Sequence, residues 1–194
     1  MFSYISSHIF ETLTLLVGLS YLILIIKEIR FAWVLAFLSA VGMGIMAYQK
    51  QLYMEFGLQL YYVVMAVVGW WSWGRQENEN GKVITWPIKY HLMLIVGSSI
   101  VSLLMAYILG KYTDQHLPVL DCFTTVFSLS ITFMVTQKVL ENWLYWIVIN
   151  SLNVVLMWKS DLNGMALLML IYTLMAVQGY CTWRKKWKAE HGTI

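Results

Sequence analysis

Charge is what this chain has least of. Of its 194 residues only 12% are Asp, Glu, Lys or Arg, while 60% are hydrophobic and the mean hydropathy is +0.66. Soluble domains carry roughly 25% charged residues, so a water-soluble globular domain is excluded. Cysteine is scarce too: Cys122 and Cys181 are the whole complement. The topology derived below sets them near opposite membrane faces, too far apart for disulfide geometry. The first ten residues hold no Lys or Arg, so the basic n-region of a signal peptide is missing and the first apolar segment is expected to be a retained span. A phosphate-cradling G-x-x-x-x-G-K-[ST] loop is absent, which excludes ATP hydrolysis by this chain. No nucleophile with its base and no set of metal ligands stands out, so neither an enzyme nor a cofactor, a metal or a nucleic-acid partner is expected.

What is present is length in the apolar runs. Stretches of about 20 residues, enough to cross a bilayer, fall at about 9–26, 31–48, 53–74, 90–110, 118–137, 141–158 and 163–183. Most are separated by a few residues only. The exception is 75–89, which opens with the polar series Arg75, Gln76, Glu77, Asn78, Glu79, Asn80 and Gly81.

The chain also repeats itself. At an offset of 110 positions, without gaps, Trp33 meets Trp143, Tyr62 meets Tyr172, and Met65, Ala66, Val67, Gly69 and Trp73 meet Met175, Ala176, Val177, Gly179 and Trp183. Thr14 and Thr124, Leu19 and Leu129, and Ser20 and Ser130 keep the same register. Duplication within a hydrophobic chain is a mark of transporters, which rock two similar halves about a site. Three spans make each repeat and one stands between them. An odd number would invert the second copy; the extra helix restores its direction. The expected fold is therefore all-α, an integral membrane protein of seven transmembrane helices in a 3+1+3 arrangement of parallel three-helix repeats: 1–75, a linker and inversion helix over 76–112, and 113–194 with a basic tail. The fourth span has no ionised residue between Leu92 and Gly110, which suits a structural part.

Lys and Arg set the orientation. An outside N-terminus places Lys27, Arg30, Arg75, Lys82, Lys89, Lys138, Arg184, Lys185, Lys186 and Lys188 inside and leaves only Lys50, Lys111 and Lys159 outside. The expectation is N-out and C-in, with Trp183, Trp187 and the basic tail as an interfacial anchor on an anionic leaflet. Glu11, Glu55 and Asp121 then fall near the outer ends of their spans. His8, His91, His116 and His191 lie outside the spans or at their edges. Proton-coupled carriers show Asp, Glu or His deep in their spans, so uncoupled transport is expected. A retinal protein would need a Lys well inside the last span, and between Gly164 and Trp183 there is none.

Candidate binding residues come from two helical stripes. Spacings of three and four put Trp143, Trp146, Asn150 and Asn153 on one face of the sixth span. Asn amides facing lipid would leave their hydrogen bonds unmet, so this face belongs to the interior or a cavity. Indoles beside amides suit a planar aromatic cation. On the third span Glu55, Gln59 and Tyr62 form a second polar stripe, and if the two stripes face each other they enclose a site. Gln and Tyr also serve as plain hydrogen-bonding glue between membrane helices.

The motif Trp143-x-x-Trp146-x-x-x-Asn150, preceded by Glu141 and Asn142, together with the 3+1+3 repeat, resembles the Pnu-type bacterial vitamin transporters over nearly the whole chain. The resemblance implies a SWEET-like fold and a homotrimer in the bacterial cytoplasmic (inner) membrane. It implies facilitated diffusion of a vitamin, which a cytosolic kinase then traps by phosphorylation. Trp143, Trp146 and Asn150 would be binding residues. Within the family, nicotinamide riboside members (PnuC) typically carry Asn on the third span where this chain has Ala66. The stretch from Glu55 to Gly69, and Thr113, Asp114, Pro118, Leu120, Asp121, Phe123, Thr124 and Thr125, look more like the thiamine branch (PnuT). The expectation is a thiamine uniporter, with nicotinamide riboside as the alternative and a vitamin-binding subunit of an energy-coupled importer behind it.

Overall fold

In the computed structural model residues 2–49, 53–78, 81–112, 118–159, 161 and 163–192 are described. Lys50, Glu79, Asn80, Thr113, Asp114 and His116, and the side chains of His8 and Glu11, lie outside the described residues. The described chain forms seven helices: α1 (Phe2–Ile26), α2 (Ala32–Gln49), α3 (Tyr53–Asn78), α4 (Ile88–Tyr112), α5 (Pro118–Thr136), α6 (Asn142–Lys159) and α7 (Asn163–His191). Each of the seven apolar stretches falls on one helix, most boundaries agreeing within a few residues, while α1 starts at Phe2 and α7 runs on to His191. By length and composition, segments of α2, α4, α5 and α7 are apolar enough to cross a membrane. Helices α3 and α6 fall short of that because they carry the polar stripes.

Two compact units emerge, Met1–Lys82 and Val83–Ile194. In the first, α2 packs against both α1 and α3. In the second, α6 packs against both α5 and α7, and α4 lies on α5, where the Ser98 and Ser130 hydroxyls meet at 3.0 Å. Along α5 the buried Ser128 and Thr132 donate to carbonyls of their own helix, to Thr124 O at 2.7 Å and Ser128 O at 2.8 Å. Their polarity is thereby satisfied without an outside partner.

The offset of 110 returns in the backbone. Helix α1 ends with the Glu28 N–H on Ile25 O (2.9 Å) and the Ile29 N–H on Leu24 O (2.9 Å). Helix α5 ends with the Lys138 N–H on Val135 O (3.1 Å) and the Val139 N–H on Met134 O (3.1 Å). Both are Schellman closures, and the second residue after each helix takes the left-handed conformation, Glu28 at φ 55° and Lys138 at φ 54°. The next turn is matched as well. Ala32 N–H bonds Ile29 O and Leu35 N–H bonds Phe31 O, as Asn142 N–H bonds Val139 O and Tyr145 N–H bonds Glu141 O.

Helix packing repeats in the same register. Trp33 meets Trp73 edge-on, centroids 5.5 Å apart at 88°, and Trp143 meets Trp183 at 5.4 Å and 88°. Each pair needs a glycine on the opposing helix. A β-carbon on Gly69 would overlap the Trp33 ring, and one on Gly179 would stand 2.6 Å from the Trp143 ring. All four indoles are buried, which ties α2 to α3 and α6 to α7.

The end of α3 differs from the sequence expectation. Helix α3 continues through Asn78, so Arg75 to Asn78 are helical rather than linker. Arg30 holds that last turn: its Nε donates to Trp70 O (2.9 Å), its guanidinium lies 3.9 Å over the Trp70 ring, and Nη1 stands 3.8 Å from Glu77. Residues 83–86, which open the second unit, are bonded within it. Val83 N–H donates to Glu190 Oε2 (3.1 Å), Ile84 exchanges bonds with Lys138 O and Leu140 N–H, and Trp86 N–H donates to Glu141 Oε2 (3.3 Å). Glu141 and Glu190 thus cap backbone amides instead of facing solvent.

Candidate functional site

Helix α6 presents its stripe unevenly. Trp143 is 1% exposed and spent on Trp183 and Gly179. Its Nε1 is buried without a hydrogen-bond partner among the described residues, and so is that of Trp33, its repeat equivalent. Trp146, one turn on, is half-buried beside the cluster of Phe127, Ile131 and Ile149. Asn150 is 7% exposed, and no hydrogen bond to its amide is found among the described residues. Asn153 is half-buried and likewise without one. Buried amides ordinarily find partners, because an unmet one costs about 1–3 kcal/mol. Asn150 follows Trp146 by four residues, so an amide and a partly covered ring share one face of α6.

The start of α6 is held by two further contacts that sequence reading missed. Asn142 Nδ2 donates to Val139 O (2.6 Å). Tyr145 stacks on His91 of α4 (5.8 Å, 19°), and its hydroxyl is 3.0 Å from His91 Nδ1. The available signal was Tyr145 itself, a polar aromatic beside Trp146 whose repeat equivalent is Leu35.

In the first unit, Glu55 and Gln59 stand together near the start of α3: Gln59 Nε2 donates to Glu55 Oε1 at 2.6 Å. Glu55 is exposed and Gln59 only 5% exposed. Tyr62, half-buried, meets Tyr61 at 5.8 Å. Asp121 sits in the first turn of α5 and is half-buried. Among the described residues no group of His, Cys, Asp and Glu could hold a metal ion.

Comparison of the two repeats sorts these residues. Trp33 and Trp143 match, as do Tyr62 and Tyr172. Trp146, Asn150 and Asn153 are replaced in the first repeat by Ala36, Ala40 and Met43, while Glu55 and Gln59 are replaced in the second by Met165 and Met169. Each polar cluster exists once.

Against known proteins, residues 8–185 match the family described as nicotinamide mononucleotide transporter. The chain belongs to that family. Among its relatives is the nicotinamide riboside transporter PnuC of Escherichia coli (strain K12), 25% identical over 167 residues, covering 72% of this chain and 70% of the relative. PnuC of Neisseria mucosa is 28% identical over 160 residues, covering 75% of this chain and 60% of the relative. The crystal structure of the vitamin B3 transporter PnuC superposes with a TM-score of 0.76 at 22% identity, covering 97% of this chain and 86% of that one, which shows a shared fold. Membership makes the chain a multi-pass membrane transporter and not an enzyme.

Proposed function

We propose that the chain carries nicotinamide riboside across the bacterial inner membrane by uncoupled facilitated diffusion, with the N-terminus outside and the C-terminus in the cytoplasm. The observation that carries this reading is the open, buried Asn150 amide next to the half-covered Trp146 ring, in a family whose named relatives are nicotinamide riboside transporters. A nicotinamide riboside cation stacks on an indole face, an attraction of about 0.5–2 kcal/mol, and its carboxamide and ribose supply partners for Asn150 and Asn153. The transported form is the nucleoside rather than the nucleotide. Every Lys and Arg from Lys27 to Lys188 sits at a helix end or in a connection, so a phosphate inside the spans would meet no counter-charge. Trapping by a cytosolic kinase would make uptake directional, and the homotrimer and the 3+1+3 division at 1–75, 76–112 and 113–194 are part of the same reading.

Thiamine is the second reading, favoured by one position. Ala66 is fully buried where nicotinamide riboside members typically carry Asn. Titration of the purified protein with each vitamin, followed by tryptophan fluorescence, decides between them. Saturable quenching by nicotinamide riboside is the expected result; quenching by thiamine alone would transfer the assignment to the thiamine branch.

A further inference from the structure

The contact between Glu55 and Gln59 has a direction. Gln59 turns its Nε2 toward the Glu55 carboxylate, 2.6 Å away, because the opposite orientation would set its carbonyl oxygen against a carboxylate oxygen. Gln59 Oε1 is therefore the end left over, and no hydrogen bond to it is found among the described residues. The side chain as a whole is 5% exposed.

Gly44 of α2 lies beside this pair: a β-carbon there would stand in ordinary contact, 3.5 Å from Gln59 Cβ and 3.8 Å from Phe56. In the second repeat the positions equivalent to Gly44, Glu55 and Gln59 are Val154, Met165 and Met169. All three change together, from Gly, Glu and Gln to Val, Met and Met. Helices α6 and α7 form with the apolar set, so the polar pair is not required for helix formation.

We propose that Glu55 is a positioning residue: it fixes the Gln59 amide so that Oε1 accepts a hydrogen bond from an O–H or N–H group of the transported vitamin. The proposal rests on the transport reading above and deepens it. A hydroxyl or amide donor on the substrate is the chemistry selected, and the Glu55 charge acts through Gln59 rather than as an attracting mouth for cations.

Substitutions at Glu55 separate the two roles, with the dissociation constant for nicotinamide riboside and for thiamine as the readout on purified, monodisperse protein. Glu55→Leu is expected to bind about tenfold more weakly, the scale of one misdirected hydrogen bond. Glu55→Gln recovers most of that loss, to about threefold, because its own Oε1 still accepts from Gln59. Glu55→Asp keeps the charge but is one methylene shorter, and binds as poorly as Glu55→Leu. In a Gln59→Met background, the side chain the chain itself uses at the equivalent Met169, Glu55→Leu causes no further loss.

Retention of binding by Glu55→Asp with loss in Glu55→Gln, or additive losses in the double variant, would overturn the proposal in favour of a charged mouth. A flat Glu55 series alongside weakened binding in Trp146→Ala overturns the proposal and leaves the transport reading standing. Wild-type protein that binds neither vitamin takes both down.

Discussion

Trp143 and Trp146 look alike in sequence and differ in what their rings touch. Trp143 is enclosed by Trp183 and Gly179, and Trp33 occupies the same setting between Trp73 and Gly69. Trp146 has a half-open ring one turn from Asn150, to whose amide no hydrogen bond is found among the described residues. Replacing Trp33 with Ala should therefore lower stability by about 3 kcal/mol through the cavity it leaves, read as a fall in the thermal unfolding midpoint in detergent. Trp146→Ala should leave that midpoint close to wild type and weaken vitamin binding by about 1–3 kcal/mol. Unchanged affinity in Trp146→Ala would remove this ring from the site.

Between elements, the closest approaches are made at glycine. Helix α7 lies against the Trp143 ring because Gly179 has no side chain. Gly179→Ala brings a methyl to 2.6 Å from that ring and forces α6 and α7 apart, at an expected cost of about 1–3 kcal/mol; an unaltered unfolding midpoint would contradict the packing described. The helix ends offer the opposite test. Glu28 holds a left-handed conformation that costs an L-residue roughly 1 kcal/mol and glycine almost nothing. Glu28→Gly is expected to raise the unfolding midpoint slightly, and a clear drop would mean that the Glu28 side chain matters more than its backbone. The repeats also exchange parts. Arg30 reaches across Gly74 to lie over Trp70, whereas the equivalent positions are Leu140, Arg184 and Tyr180. There Arg184 lies 5.9 Å over Tyr180 on its own helix. A guanidinium over an aromatic ring is kept while the residue supplying it changes.

At the scale of the whole molecule, the sparse charge is the ground on which uncoupled transport is proposed. The acidic residues Glu55, Asp121, Glu141 and Glu190 lie in terminal turns or connections, and the last two cap the linker. Carriers that move protons keep such groups deep inside. Uptake of nicotinamide riboside into proteoliposomes should therefore stop when inside and outside concentrations are equal, and an imposed pH gradient should not change that end point. Accumulation driven by the gradient would refute uncoupled transport.

Composition and periodicity by themselves determined that the chain is a membrane protein, where its seven helices lie, and that its ends are copies of each other. Those properties follow from hydropathy and from identities at a fixed offset, which are local in sequence. The α6 and α3 stripes were legible for the same reason, because helical spacing puts their residues on one face. Only the tertiary structure decided how each member is used. Whether an indole is open or covered depends on the glycine and tryptophan of another helix, as Trp143 shows against Gly179 and Trp183. The bond from Gln59 to Glu55 was within reach of the i, i+4 spacing, but its direction and the burial of Gln59 are set by packing. The polar run after Arg75 read as a free linker because no local pattern announces that Arg30 will hold the end of α3, or that Glu141 and Glu190 will bind backbone amides far away in sequence. Contacts between residues distant along the chain are a property of packing, and packing is where framework and site part company.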